Sequence, residues 1–166
     1  RLFLWNEVPN GGLNHASSIS GLPFHFIQII PYIIGLGLQQ VQVISFVFWF
    51  SLIILGSFWF AKIIFKDKPL VQVLFVVFYT FNIFAFNAWE NSKVSSLSLI
   101  VGIPIFLSIT TLFLQEKIDK KLTILLSTLA GLLISGTGIN PAYLICLVLI
   151  IVIYLLSNRA NLLKMC

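Results

Sequence analysis

Apolar runs and short polar interruptions alternate along this chain at the spacing of helices that cross a bilayer. Residues 22–38 form an apolar stretch of ~17 residues, near the lower limit for a crossing helix. It carries His25, Gln28 and Pro31, with Gly35 and Gly37 at its end. A lipid-exposed crossing helix tolerates that mixture poorly, so the pattern predicts an interfacial or re-entrant helix. Residues 41–65 are uncharged until Lys62, whose long stem can carry its charge to the interface. A tight basic turn at Lys66, Asp67, Lys68 and Pro69 leads into a return span at 70–86, then a polar loop at 87–93. Residues 97–114 make the next span, with Pro104 as a kink. Residues 115–121 are charged and must be solvated, 122–135 form a short apolar segment, 136–141 break it, and 142–156 return.

The expected fold is therefore all-α: a polytopic transmembrane helix bundle of about five spans plus one short interfacial or re-entrant helix. Residues 1–21 are expected to be an outer-face loop, 22–38 the interfacial or re-entrant helix, 39–156 the transmembrane helices, and 157–166 a cytoplasmic tail. The chain begins at Arg1 inside a loop and stops after an amphipathic tail, so it reads as a fragment of a longer protein.

Composition sharpens this picture. The chain is 59% hydrophobic and 9% charged, where soluble domains carry roughly 25% charged residues. Such a chain cannot clothe itself in polar surface, so lipid bilayer is its expected solvent and first partner. The net charge of +5 does not point to nucleic acid, because in a membrane chain bases mark cytoplasmic loops. Five alternating spans put Lys62, Lys66, Lys68, Lys117, Lys120, Lys121, Arg159 and Lys164 on one face, leaving only Arg1 and Lys93 on the other. The first face is expected to be cytoplasmic. Cys146 and Cys166 give neither a disulfide framework nor metal spacing.

Three polar segments then share the outer face: the opening loop, residues 87–93 and residues 136–141. Glu7 and Glu90 are the acids there, each readable as a general base, a hard-oxygen ligand for a divalent cation, or a solvated loop acid. Trp5 and Trp89 read as lipid contacts or as flat faces on which a ligand can stack. Asn6, Asn14 and His15 are candidates to hydrogen-bond hydroxyls or phosphate oxygens. Gly11 and Gly12 permit a tight turn or the close approach of a ligand. Asn140, before Pro141, reads either as an unwound helix end facing a polar ligand or as a plain turn. These segments are expected to converge on one outer-face cavity. Walker loops, HExxH, CxxC and GxSxG patterns do not occur.

The run Leu4-Trp5-Asn6-Glu7-Val8-Pro9-Asn10-Gly11-Gly12 resembles the Trp-Asn and glycine-pair loop of GT-C-type multispanning membrane glycosyltransferases, in particular the arabinofuranosyltransferase-like branch. In that branch the loop is followed by a short amphipathic helix and many spans, the order seen here. Residues 135–141 also resemble a small-residue and Asn turn found late in such domains. The resemblance implies transfer of a sugar from a polyprenyl-phosphate-linked donor on the outer face, often with a divalent cation. Two departures stand out: Glu7 occupies the place of a usual Pro, and the family's catalytic acid commonly lies upstream of the Trp-Asn pair. A transporter or flippase fragment and a non-catalytic structural subunit are the competing readings. The five spans contain no acid and only Lys62 as a base, which weighs against ion-coupled transport.

Overall fold

The structure, a computed structural model, describes residues 5–6, 13–14, 22–90 and 94–158. Two short strands, β1 (Trp5–Asn6) and β2 (Leu13–Asn14), pair antiparallel, with Trp5 opposite Asn14 and Asn6 opposite Leu13. All other regular structure among the described residues is helical: α1 (Leu22–Ile33), α2 (Leu38–Phe65), α3 (Pro69–Thr80), α4 (Ile83–Glu90), α5 (Val94–Leu114), α6 (Lys120–Leu133), the 3-10 turn η1 (Ser135–Ile139) and α7 (Pro141–Ser157). Two of these, Leu38–Phe65 and the stretch Ser96–Leu114 of α5, are long and apolar enough to cross a membrane.

Several boundaries differ from the hydropathy pattern, each for a local reason. The stretch 22–38 is not one helix. α1 stops at Ile33 because Gly35 takes a left-handed φ of 93°. The amides of Gly35 and Leu36 then bond back to the carbonyls of Tyr32 and Pro31, at 3.0 and 3.1 Å, which closes the helix end. The 12 residues of α1 rise about 18 Å, too little for a hydrocarbon core of about 30 Å. The stretch 70–86 is not one span either. It breaks after Thr80, and Asn82 bridges the break: its Nδ2 donates to the Tyr79 carbonyl at 2.7 Å and its Oδ1 accepts from the Ala85 amide at 2.8 Å. What the pattern reads as a loop starting at Asn87 is the last turn of α4.

α5 is the central helix; α2, α4, α6, α7 and η1 all pack on it. Pro104 lies buried within it, and the helix continues on both sides. Proline has no amide hydrogen, so the carbonyl of Ile100, one turn earlier, loses its helical partner. Tyr79 of α3 supplies the replacement: its hydroxyl donates to Ile100 O at 2.7 Å. Lower on the same helix, the Thr111 and Tyr154 hydroxyls lie 2.7 Å apart and join α5 to α7. Glycines permit the closest approaches. Gly56 of α2 lies against Pro104 and Ile105, and Gly102 lies against Ile134.

The ring pairs Phe60–Phe75, Phe65–Phe75 and Phe50–Phe81 show α2 and α3 running antiparallel. The contacts Gly102–Ile134 and Thr111–Tyr154 show α7 advancing along α5 in the same direction. The turns that carry Lys66 and Lys68, and Lys117, Lys120 and Lys121, thus lie at one end of the bundle. The start of α5 and η1 lie at the other.

Polarity is inverted relative to a water-soluble bundle. Ile83 is 88% exposed, Leu38 79% and Phe78 73%, whereas Ser57, Ser98 and Ser108 are each 0% exposed. Several interior hydroxyls are satisfied within their own helix: Ser45 donates to Val41 O at 2.8 Å, Ser108 to Pro104 O at 2.7 Å and Thr111 to Leu107 O at 2.6 Å.

Two substitutions test this packing by unfolding in detergent micelles. Tyr79→Phe strands the Ile100 carbonyl and is expected to cost about 1–2 kcal/mol. In a Pro104→Ala background the restored amide recaptures that carbonyl, so the same change should cost less than half as much; strict additivity would contradict the assignment. A methyl at Gly102 would overlap Cδ1 of Ile134, so Gly102→Ala should cost about 1–3 kcal/mol. Ile134→Val removes that atom and should recover most of the loss.

Candidate functional site

The end of the bundle at the start of α5 concentrates the irregular backbone. Here α4 lies on α5 through Ala85 and Ala88, at 0% and 2% exposure, which share a core cluster with Leu97 and Val101. Small side chains let the two helices approach closely. Across the same end, Phe84 of α4 meets Tyr143 of α7 edge-on, with ring centroids 6.3 Å apart. α1 packs on α2, on α6 and on η1, so it covers this end from the side.

η1 forms because the helix cannot continue. Gly136 and Gly138 weaken it, and Pro141 restarts the chain as the first residue of α7. The tight turn is closed by Thr137 N to Ile134 O at 2.9 Å and Asn140 N to Thr137 O at 3.3 Å. Asn140 then caps α7, its Oδ1 accepting from the Ala142 amide at 3.1 Å. Its side-chain oxygen is thus committed to the helix end.

Four hydroxyls have no hydrogen-bond partner although their oxygens are out of contact with solvent: Thr80, Ser98, Ser135 and Thr137. Thr80 ends α3, Ser98 is in the second turn of α5, and Ser135 and Thr137 belong to η1. All four therefore lie toward the same half of the molecule, while the hydroxyls of Ser45, Ser57, Ser108 and Thr111 are bonded to carbonyls. A separate open groove of about 400 Å³ runs along the α1–α2 junction, lined by Leu36, Gln39, Gln40, Val43 and Ile44. Gln40 already closes the start of α2 by accepting from the Gly37 amide at 3.0 Å.

The expected site residues are distributed as follows. Glu7, Gly11, Gly12 and His15 lie outside the described residues. Trp5, Asn6 and Asn14 belong to the strand pair, which brings Trp5 and Asn14 together as cross-strand neighbours. Trp89 and Glu90 occupy the final turn of α4, immediately before α5. Asn140 lies at the same end of the bundle, between η1 and α7. Among the described residues, no three His, Cys, Asp or Glu side chains gather to hold a metal ion.

Ser98 and Thr137 were not among the expected residues. The closely spaced serines at 95, 96 and 98, opening an otherwise apolar run, were the available signal, but hydroxyls in apolar helices usually bond back to their own carbonyls. Comparison with known proteins finds no matching family model, no matching curated protein and no matching solved structure.

Proposed function

We propose that the chain is the membrane-embedded helical part of a protein that handles a lipid-linked substrate at the end of the bundle carrying α4, η1 and the start of α5. The observation that carries the membrane reading is the inverted polarity: large apolar side chains outside, serines and threonines inside. In water, each fully exposed Leu, Ile or Phe forgoes about 1.5–3 kcal/mol of burial free energy, and the exposed set lies on α1, α2, α3, α4, α6 and α7, which surround the central α5. In this reading α2 and α5 cross directly, α3 and α4 together make one broken crossing, and α6 and α7 make two short ones. The basic turns at the opposite end then face the cytoplasm. α1 lies at the interface.

For the reaction we propose sugar transfer from a polyprenyl-phosphate-linked donor. It is supported by the resemblance of the opening segment around Trp5, Asn6, Gly11 and Gly12 to GT-C-type glycosyltransferases. A broken helix and a 3-10 turn at one end of a lipid-facing bundle are also compatible with it, since irregular backbone at membrane depth requires a protein or aqueous cavity to satisfy it. Trp5 and Trp89 would stack on the isoprenoid or sugar, and Asn6, Asn14 and His15 would hold hydroxyls or phosphate oxygens. Glu7 and Glu90 would serve as base or cation ligand.

Two measurements separate these claims. In intact cells, cysteines placed at 67 and 119 should resist an impermeant thiol reagent that reaches a cysteine at 91; labelling of 119 from outside would reverse the topology. In the full-length protein, Ala at Trp5, Asn6 or His15 should lower sugar transfer from a polyprenyl-phosphate donor at least tenfold more than Ala at Lys117 or Lys120. Equal effects would reduce the opening segment to a connector.

A further inference from the structure

Three of the unpartnered hydroxyls, those of Ser98, Ser135 and Thr137, stand on α5 and η1, at the end of the bundle proposed to handle the substrate, and have no role yet in that reading. Ser98 lies one turn before Gly102 on the same face of α5, and Gly102 is the residue against which Ile134 packs. Thr137 lies three residues beyond Ile134, inside η1, and η1 packs on α5. Ser98 and Thr137 thus stand on the two elements that meet in this contact. They are 0% and 1% exposed, yet neither is bonded to the other or to a carbonyl. Ser135, at the start of the same turn, also has an unpartnered hydroxyl.

An unpartnered hydroxyl in this setting is costly, about 1–3 kcal/mol each, since neither lipid nor apolar side chain can take its hydrogen bond. Three on two elements packed against each other contrast with Ser108 and Thr111 farther along α5, which both find carbonyls. Within this contact the three hydroxyls can each donate one bond and accept two. A neutral group that both donates and accepts satisfies that set. A bare cation would leave the hydroxyl hydrogens unpaired. An anion would find no charged partner on α5 or η1, because neither element carries an ionisable residue.

We propose that the contact between α5 and η1 is a small polar binding pocket, built by Ser98, Ser135 and Thr137, that takes neutral hydroxyl groups: water, or a hydroxyl of a polar ligand such as a sugar. Gly136 and the 3-10 turn hold the backbone of the pocket wall, and α1 closes it from the side.

Thiol chemistry provides the test, because a thiol reacts only where water can ionise it and reagent can reach it. With Cys146 and Cys166 replaced by Ser, the purified full chain in detergent carries Ser98→Cys, Thr137→Cys or Ser108→Cys. A small water-soluble methanethiosulfonate reagent should modify the first two at least tenfold faster than the third, whose native hydroxyl is bonded to Pro104 O. Equal rates at all three would overturn the pocket. Glucose added at high concentration separates the two sources: slower labelling of Ser98→Cys identifies a sugar hydroxyl as an occupant, and an unchanged fast rate identifies water. A second measurement does not depend on cysteine variants. In a dry contact, Ser98→Ala and Thr137→Val remove an unsatisfied group and raise thermal stability. In a hydrated pocket each removes a real hydrogen bond and lowers it. Stabilisation by both would overturn the proposal even if the cysteine variants failed to fold. This outcome is independent of the sugar-transfer reading, which fails or stands on the opening segment.

Discussion

One hydrogen bond, from the Tyr79 hydroxyl to the Ile100 carbonyl at 2.7 Å, makes the centre of this bundle possible. Pro104 gives α5 a position with no amide hydrogen, and in a dry interior the stranded carbonyl needs a donor from somewhere. Tyr79 reaches it only because α3 ends beside the early turns of α5. That placement is in turn set by the aromatic pairs that hold α3 against α2, among them Phe75 with Phe60 and Phe65. The register of three helices is thus tied to the satisfaction of a single oxygen. The Thr111–Tyr154 pair does the same for α7 further along α5.

The same requirement explains the ends of the helices. Asp119 accepts from the Leu122 amide, Asn82 from Ala85, Asn140 from Ala142, and Gln40 from Gly37. At the α5 terminus Glu116 takes a left-handed φ of 56° so that the amides of Glu116 and Lys117 can return to Phe113 O and Leu112 O. At the α2–α3 turn the Gln72 side chain donates to Lys66 O. Several polar side chains among the described residues thus close backbone gaps, whereas the buried hydroxyls of Thr80, Ser98, Ser135 and Thr137 do not.

The helical class and the locations of the apolar segments were legible because they follow from hydropathy summed over long windows, where individual residues average out. The breaks were less so. Asn82 lies inside the apolar run 70–86, and its two-way bridging of Tyr79 and Ala85 is visible only in three dimensions. Pro31, a residue suggestive of a helix end, lies inside α1, whereas Gly35 terminates it. The turn at 136–141 was legible as a break because glycine and proline act locally. Its use of Asn140 as a helix cap rather than as a free amide depends on where the chain resumes. For the candidate site, the end of the bundle shared by Trp89, Glu90 and Asn140 follows from strict alternation of segments. The deep hydroxyls of Ser98 and Thr137 do not, since whether a serine bonds to its own helix is decided by neighbours distant in sequence.

The break at Asn82 has a consequence for the order of assembly. The 12 residues of α3 rise about 18 Å, and the 8 of α4 about 12 Å, so neither half alone matches a bilayer core. α3 has a docking face as soon as α2 exists, because its aromatic partners precede it in the chain. The seat for α4 is α5, which is synthesised afterwards. A nascent chain that has emerged only as far as Glu90 therefore has a stable hairpin and an unanchored amphiphile. The seat of α4 becomes complete only when Leu97 and Val101 arrive to receive Ala85 and Ala88.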